Sequence, residues 1–137
     1  MKKIIKFTIL EKGDFPRLSK QILDFYKPKY KSPFTKTTID NSTIICLAID
    51  ENKIIGAIRT ISDLTRHAEI VDLIVDKDYR KQKIGTKLVQ LIVNRLIKYG
   101  VKNIGLTTEP HEDWLIGFYQ KIGFKLLKDS VYLEFEK

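Results

Sequence analysis

Apolar residues recur along this chain at two spacings, one typical of strands and one typical of helices. Runs rich in Ile, Val, Thr and Phe predict strands over residues 3–10, 43–49, 53–61, 68–75 and 103–107. A short polar connection, Asp-Glu-Asn, joins the second run to the third, and a connection of that length is typical of a hairpin. The pattern therefore predicts a sheet that contains antiparallel pairs.

Helical spacing of the apolar residues predicts the remaining elements. The predicted helices cover residues 15–25, 33–39, 84–99 and 113–121. Gly100 follows the third of them, and glycine is the residue that most often ends a helix. Near the end of the chain, strand-like runs at 124–127 and 131–135 predict a closing hairpin.

Strands and helices alternate through the middle of the chain, with hairpins towards both ends. This order favours an α/β (α+β) fold with a mixed, mostly antiparallel sheet of six to seven strands and helices on both faces. The length of 137 residues fits one domain over residues 1–137. Apolar runs stay far below the roughly 18 residues that cross a bilayer, so we expect no membrane partner.

Basic residues are concentrated in two parts of the chain. The formal net charge is +8, from 25 Lys and Arg against 17 Asp and Glu. Residues 1–36 hold ten basic and three acidic groups, and residues 77–102 hold eight and one, whereas residues 37–76 hold three and seven. Such clusters suit charged ligands, although a solvated face that keeps the protein soluble would carry the same charges.

The single cysteine, Cys46, lies in an apolar strand-like run. A lone cysteine forms no intramolecular disulfide, so the chain needs no oxidising compartment and we expect it in the cytoplasm. In such a run a thiol is generally a small core hydrophobe rather than a nucleophile. His67 and His111 have no Cys or His at ligand spacing, so we expect no metal site.

A basic loop separates the strand at 68–75 from the helix that begins at Ile84. At a helix N-terminus the first backbone N–H groups lack intrahelical acceptors and the helix dipole adds positive potential, so the place suits phosphate or pyrophosphate. Gly85 would let the anion approach the backbone, since a Cβ there would intrude. The loop lacks both GxxxxGK[ST] and GxGxxG, and its chemistry leaves nucleotide, coenzyme A and nucleic-acid phosphate open.

The sequence YRKQKIGT at residues 79–86 resembles the acetyl-CoA pyrophosphate loop of the GNAT (GCN5-related) N-acetyltransferases. That loop has the pattern Gln/Arg-x-x-Gly-x-Gly/Ala. Arg80 and Gly85 match it, whereas Lys83 replaces the first glycine and narrows the allowed dihedral angles. The resemblance is to the small, single-domain bacterial type of this superfamily.

Three further segments resemble the family in the order that it requires. They are IGAIR at 55–59 on its third strand, Leu-x-Val at 73–75 on its fourth strand, and FYQKIGF at 118–124 near its end. The resemblance implies a sheet that is splayed between the fourth and fifth strands, with acetyl-CoA as cosubstrate in the gap. The residues expected to bind it are Leu73, Ile74, Val75, Arg80, Lys81, Gln82, Lys83, Ile84, Gly85 and Thr86.

The resemblance also implies direct transfer of the acetyl group to a primary amine. Glu69 is the first candidate for the base, because the segment Ala-Glu-Ile-Val at 68–71 is similar to the one that bears the catalytic glutamate in histone-acetylating members. Asp72 is the second, and His111 or water remain open. Strand alternation places Glu69 and Asp72 on opposite faces, unless the bulge that the family implies intervenes. Tyr119 corresponds to the tyrosine that protonates the departing thiolate.

The acidic balance of residues 37–76 favours a small cationic amine as the acceptor. Acetylation of a protein lysine or N-terminus is an alternative, because of the segment at 68–71. From another class, a basic nucleic-acid-binding module would use the two basic clusters, but residues outside them are net acidic and no nucleic acid is expected. Family members often dimerise, which leaves a homodimer open.

Overall fold

Five strands form the sheet of the computed structural model, which describes residues 4–108 and 113–137. They are β1 Ile5–Glu11, β2 Ile44–Asp50, β3 Lys53–Ser62, β4 His67–Val75 and β5 Asn103–Gly105. Their order in the sheet follows the chain. The first four pair antiparallel, and β4 pairs parallel with β5. The mixed and mostly antiparallel sheet is therefore confirmed.

Four α-helices accompany the strands within the described residues. They are α1 Phe15–Tyr26, α2 Lys36–Asp40, α3 Ile84–Tyr99 and α4 Asp113–Ile122. Because β4 and β5 are parallel, the chain needs a crossover between them, and α3 provides it. Gly100 ends α3 with a φ of 85°, a left-handed conformation that glycine adopts without strain.

Helices pack on both faces of the sheet, as predicted. On one face, α1 and α2 bury their apolar residues against β2 and β3 in a cluster that includes Ile22, Phe34, Ile45 and Leu47. On the opposite face, α3 packs against β3 at Gly56. A Cβ at Gly56 would lie 3.2 Å from Leu88 Cδ1 and 3.4 Å from Ile84 Cγ2. The missing side chain therefore lets the start of α3 approach the sheet closely.

The chain divides into two compact units, residues 1–106 and 107–137. The first contains the sheet and three of the helices, and the second contains α4. Residues 124–137 carry no strand, so the predicted closing hairpin is wrong and the described sheet has five strands rather than six to seven. In that segment Val131 and Leu133 are more than four-fifths exposed, so no neighbour covers the strand-like pattern. Within the described parts of the chain, no helix is long and apolar enough to span a membrane.

Candidate functional site

The basic loop after β4 leads to a helix N-terminus with open amides. Lys83 is the N-cap of α3, and its side chain makes no capping hydrogen bond. In the described part of the chain, the backbone N–H groups of residues 84–86 donate to no side chain. Together with the helix dipole they present positive potential to an anion, as the sequence predicts.

Two lysines of this loop have left-handed backbone conformations. The φ angles are 64° at Lys81 and 60° at Lys83. This region costs a residue that has a Cβ about 1–2 kcal/mol. Lys83 stands where the resembling loop has glycine, and its backbone nevertheless adopts the conformation that favours glycine. Lys83 therefore keeps a conformation typical of glycine and adds a cation to the loop.

The start of the loop is fastened to the sheet by Tyr79 and Arg80. Tyr79 is buried, and its hydroxyl donates a hydrogen bond to the carboxylate of Asp50 at the end of β2. That hydrogen bond raises the pKa of Tyr79 to about 12, so the hydroxyl keeps its proton at neutral pH. Arg80 donates from Nε to the carbonyl oxygen of Val75 at 3.2 Å. These contacts hold the loop at the end of β4.

Strand β4 contains a bulge at Asp72. Its register against β3 shifts between Ala57 and Arg59, and Asp72 has a φ of 55°. A bulge breaks the alternation of side chains along a strand. Val71 lies opposite Arg59, and the Asp72 carboxylate also contacts Arg59, so both side chains are on one face of the sheet.

Glu69 is two residues before Val71 and shares that face. The expectation from strand alternation, that Glu69 and Asp72 point to opposite faces, is therefore wrong. The bulge implied by the resemblance is present, and it brings both candidate bases to the face that carries α1 and α2. The physical reason is the extra residue at the bulge, which reverses the parity of all positions after it.

Asp72 is held by a buried network. Arg59, which is 7% exposed, donates from Nε to Asp72 Oδ2 at 2.8 Å, and its Nη2 lies 2.8 Å from the same oxygen. Arg59 Nη1 donates to Ser42 Oγ at 2.7 Å. The hydroxyl of Tyr26 donates to the backbone carbonyl oxygen of Asp72 at 2.7 Å. Burial raises the pKa of Tyr26 well above its ordinary value, so this hydroxyl remains a donor.

Glu69 lies where β4 and β5 part. The two strands pair through three positions, of which Glu69 opposite Gly105 is the last, while β4 continues to Val75. The Glu69 side chain is 36% exposed, and His67 Nε2 lies 3.2 Å from Glu69 Oε2. A carboxylate that is partly exposed to solvent at a strand junction can accept a proton from a bound molecule.

A groove lies between the end of α1 and the start of α2. It has a volume of about 380 Å³ and is lined by Tyr30, Phe34 and the lysines Lys27, Lys31 and Lys36, among others. Burial raises the pKa of Tyr30, and so does its interaction with the Asp72 carboxylate. The groove therefore combines aromatic walls with a basic rim.

Several acidic residues of the segment 37–76 have partners within the protein. Asp72 is paired with Arg59, and Asp76 lies 3.6 Å from Lys29 Nζ. Asp63 Oδ1 accepts hydrogen bonds from the backbone amides of residues 65–67, which lower its pKa to about 2. Cations therefore offset the charge of Asp72 and Asp76, whereas Asp63 remains negatively charged.

Tyr119 belongs to the second unit and lies on α4. Its side chain is buried, and its ring packs edge-on against Phe118 and Phe124 at centroid distances of 5.0 and 5.5 Å. Burial raises the pKa of Tyr119 to about 12. The hydroxyl therefore stays protonated over the whole neutral range, as a proton donor must. His111 lies outside the described residues.

The sequence does not single out Tyr26 or Tyr79 as functional residues, and it gives Arg59 only as the end of the family-like segment at 55–59. The sequence does contain a signal for Arg59, because it is a charged residue inside an apolar strand-like run. A charge buried in such a strand needs a partner that offsets the cost of its burial. Cys46 is buried in β2 and burial raises its pKa to about 12, so its prediction as a core residue is confirmed. Among the described residues, no three His, Cys, Asp or Glu side chains group as metal ligands.

Comparison with known proteins identifies the family. The profile of the acetyltransferase (GNAT) family matches residues 10–124. The match covers most of the chain, so the chain belongs to the GNAT family.

Curated relatives come from several kingdoms. GCN5-related N-acetyltransferase 2 of Arabidopsis thaliana, a chloroplastic protein, is 36% identical over 75 residues, which are 55% of this chain and 28% of the relative. N-alpha-acetyltransferase 30 of Schizosaccharomyces pombe is 33% identical over 82 residues, 57% of this chain and 55% of the relative. The chain thus spans between about a quarter and about half of the length of these relatives.

Solved structures share the fold over nearly the whole chain. A GNAT-family acetyltransferase of Streptococcus pneumoniae TIGR4 superposes with a TM-score of 0.79 at 25% identity and covers 98% of both chains. An aminoglycoside acetyltransferase from an uncultured soil metagenomic sample, in complex with sisomicin, has a TM-score of 0.72 at 20% identity, with 97% of this chain and 96% of that chain covered. At that identity the second likeness concerns the fold alone.

Proposed function

We propose that this chain is an acetyl-CoA-dependent N-acetyltransferase that transfers the acetyl group directly to a primary amine. One observation carries the proposal: the uncapped N-terminus of α3 follows a strand that parts from its neighbour at Glu69. We further propose that residues 1–137 act as one domain of the small, single-domain type. The relatives include plant and yeast proteins, so a bacterial character stays a prediction from sequence.

The donor is proposed to lie along the bulged end of β4. Backbone groups of residues 73–75 would pair with the pantetheine arm, and the amides of residues 82–86 would hold the pyrophosphate. Arg80, Lys81 and Lys83 add positive charge beside those amides. Lys81 and Lys83 both have a left-handed backbone, the conformation that glycine favours. This supports a role of the loop in binding pyrophosphate, because the family's pyrophosphate loop contains glycine.

The reaction requires a neutral amine, because a protonated nitrogen has no lone pair to attack the thioester. A lysine-like amine has a pKa of about 10.4, so a base must take its proton near neutral pH. The amine nitrogen then bonds to the acetyl carbon, a backbone N–H near Ile74 stabilises the oxyanion, and the carbon–sulfur bond breaks. The departing thiolate takes a proton, which we assign to Tyr119.

Glu69 is the base that the surroundings favour. Its carboxylate is partly exposed at the end of the β4–β5 pairing. Asp72 is the weaker candidate, since taking a proton there would disrupt a buried ion pair with Arg59. Water that bridges Glu69 and the amine fits the same arrangement.

A small cationic amine is the proposed acceptor. Glu69 supports it, because a carboxylate attracts a cationic amine. The lysines along the groove at Tyr30 act in the opposite direction and would attract an anionic group. An amine panel should therefore include polyamines and aminoglycosides beside amino acids.

Calorimetric titration with coenzyme A tests the proposal, together with thiol release from acetyl-CoA and the amine panel. We expect micromolar binding that Lys81→Glu weakens about tenfold, because it reverses a charge beside the diphosphate. Lys98→Glu, at the far end of α3, is the matched control and should bind like the wild type. A wild-type chain that does not bind coenzyme A at tens of micromolar would refute the proposal.

Acetylation of a protein N-terminus or lysine is the second candidate. The segment at 68–71 and the likeness to N-alpha-acetyltransferase 30 favour it. Peptides that react far better than free amines would support this alternative over the small amine.

A further inference from the structure

The strained backbone at Asp72 is held by side chains from two other elements. Resting on the proposed function, we propose that Tyr26 and Arg59 are positioning residues, which hold the β4 bulge in the conformation that receives the pantetheine arm of acetyl-CoA. Neither residue needs to touch a substrate for this role. The positioning role is inferred only from the contacts that Tyr26 and Arg59 make with Asp72.

Asp72 adopts a conformation that the chain does not favour by itself. Its φ of 55° is left-handed, and a residue with a Cβ occupies that region only when its surroundings enforce it. Neither Asp72 nor Leu73 has a Cα partner in the register of β4 with β3. The sheet alone therefore does not hold this part of the strand in place.

Tyr26 holds the carbonyl of Asp72. Its hydroxyl donates to that oxygen at 2.7 Å, and the side chain is fully buried. The ring stacks on Phe34 at a centroid distance of 4.7 Å, which limits its movement. A trans peptide unit is planar, so a fixed Asp72 carbonyl also fixes the direction of the Leu73 N–H. Tyr26 thereby sets the first backbone donor after the bulge.

Arg59 holds the side chain of the same residue. Two of its nitrogens lie 2.8 Å from Asp72 Oδ2, and the guanidinium is itself fixed by Ser42 at 2.7 Å. Asp72 is thus held at its carboxylate and at its carbonyl, on either side of its Cα. The contact at the carbonyl limits rotation of the peptide plane, and the contact at the carboxylate limits movement of the side chain. Asp72 is therefore held at two points instead of one.

The test compares two ligands that share the nucleotide but differ in the pantetheine arm. Coenzyme A uses both the loop and the bulge, whereas 3′,5′-ADP uses the loop only. For Tyr26→Phe we expect affinity for coenzyme A to fall about three- to tenfold, the net effect of one hydrogen bond, with affinity for 3′,5′-ADP unchanged. The exposed Tyr132→Phe serves as the matched control and should change neither affinity.

Each outcome separates the inference from the function on which it rests. A folded Tyr26→Phe variant that keeps wild-type affinity for coenzyme A, or that loses both ligands equally, overturns the positioning role. A wild-type chain that binds neither ligand overturns the proposed function and the inference with it. If Tyr26→Phe does not fold, Ser42→Ala loosens Arg59 instead, and the same selective loss for coenzyme A is required.

Discussion

At the scale of single residues, the surroundings of each carboxylate decide what it can do. Asp72 is bound by Arg59 and holds a bulge, while Asp63 accepts three backbone N–H groups and holds the turn before β4. Glu69 is partly exposed and has a histidine beside it. Of these three acidic residues, Glu69 is therefore the one suited to exchange a proton with a substrate.

Glu69→Gln should lower kcat/KM about 100-fold at neutral pH, because the amide cannot take the amine proton. The loss should be largest at low pH and shrink as pH rises, since more of the amine is then already neutral. A pH–rate profile checks this, with Glu51→Gln in the exposed β2–β3 turn as the control. An unaltered profile would transfer the role to Asp72 or to water.

Tyr119→Phe should lower kcat by about 10- to 100-fold and leave coenzyme A affinity nearly unchanged, because the variant lacks only the proton for the thiolate. Burial raises the pKa of Tyr119 to about 12, so the protonated form persists as pH rises and is lost only near that value. Wild-type kcat should therefore show no alkaline loss due to Tyr119 below about pH 11. Undiminished turnover in the variant would remove Tyr119 as the acid.

At the scale of elements, the contact between β3 and α3 influences the place where we propose that acetyl-CoA binds. Gly56 lets the first turns of α3 approach the sheet, and the loop of residues 76–83 connects that helix to β4. A displacement of α3 would move the amides of residues 84–86 away from the end of β4. The packing of α3 on Gly56 therefore influences the proposed anion site at the N-terminus of α3.

Gly56→Ala tests this coupling. The new Cβ would lie 3.2 Å from Leu88 Cδ1, so the side chain must shift, and we expect a loss of about 1 kcal/mol in the free energy of unfolding. Affinity for coenzyme A should fall as well. Gly13→Ala is the control, because its Cβ would meet nothing within 4 Å. Urea unfolding and calorimetry measure both effects, and equal results for the two variants would contradict the coupling.

At the scale of the whole molecule, the net charge of +8 is unevenly distributed. The basic residues 77–102 include the loop and α3, and the basic segment 27–36 lines the groove at Tyr30. Both regions lie in the first unit of the chain. Coenzyme A is a polyanion, so this distribution favours its association and makes the association sensitive to salt.

Coenzyme A affinity should fall severalfold when salt is raised from about 50 to about 300 mM, because screening weakens the attraction between phosphates and lysines. Under the same conditions, oligonucleotides should bind weakly and without sequence preference. Calorimetry and fluorescence anisotropy compare the two ligands. Tight, salt-steep binding of nucleic acid near physiological ionic strength would instead support the nucleic-acid-binding module.

Much of the fold followed from local pattern. The helix predicted over residues 84–99 is present as Ile84–Tyr99, and its glycine end is present too. The prediction of a closing hairpin was wrong. Residues 124–127 and 131–135 have the composition of strands, but they pair with no described strand, and a strand forms only by pairing. Each confirmed strand pairs with the strand that precedes or follows it in the sequence, and such pairing is easier to predict.

The sequence by itself determined the elements that depend on near neighbours: the apolar periods, the glycine that ends α3, and a basic loop before a helix N-terminus. Only the tertiary structure decided which face of the sheet each carboxylate occupies and which side chains hold the bulge. Tyr26 and Asp72 are 46 residues apart in the chain, and their hydrogen bond exists only once α1 has packed on the sheet. No local pattern encodes such a contact, because its partners are brought together by the burial of the apolar core.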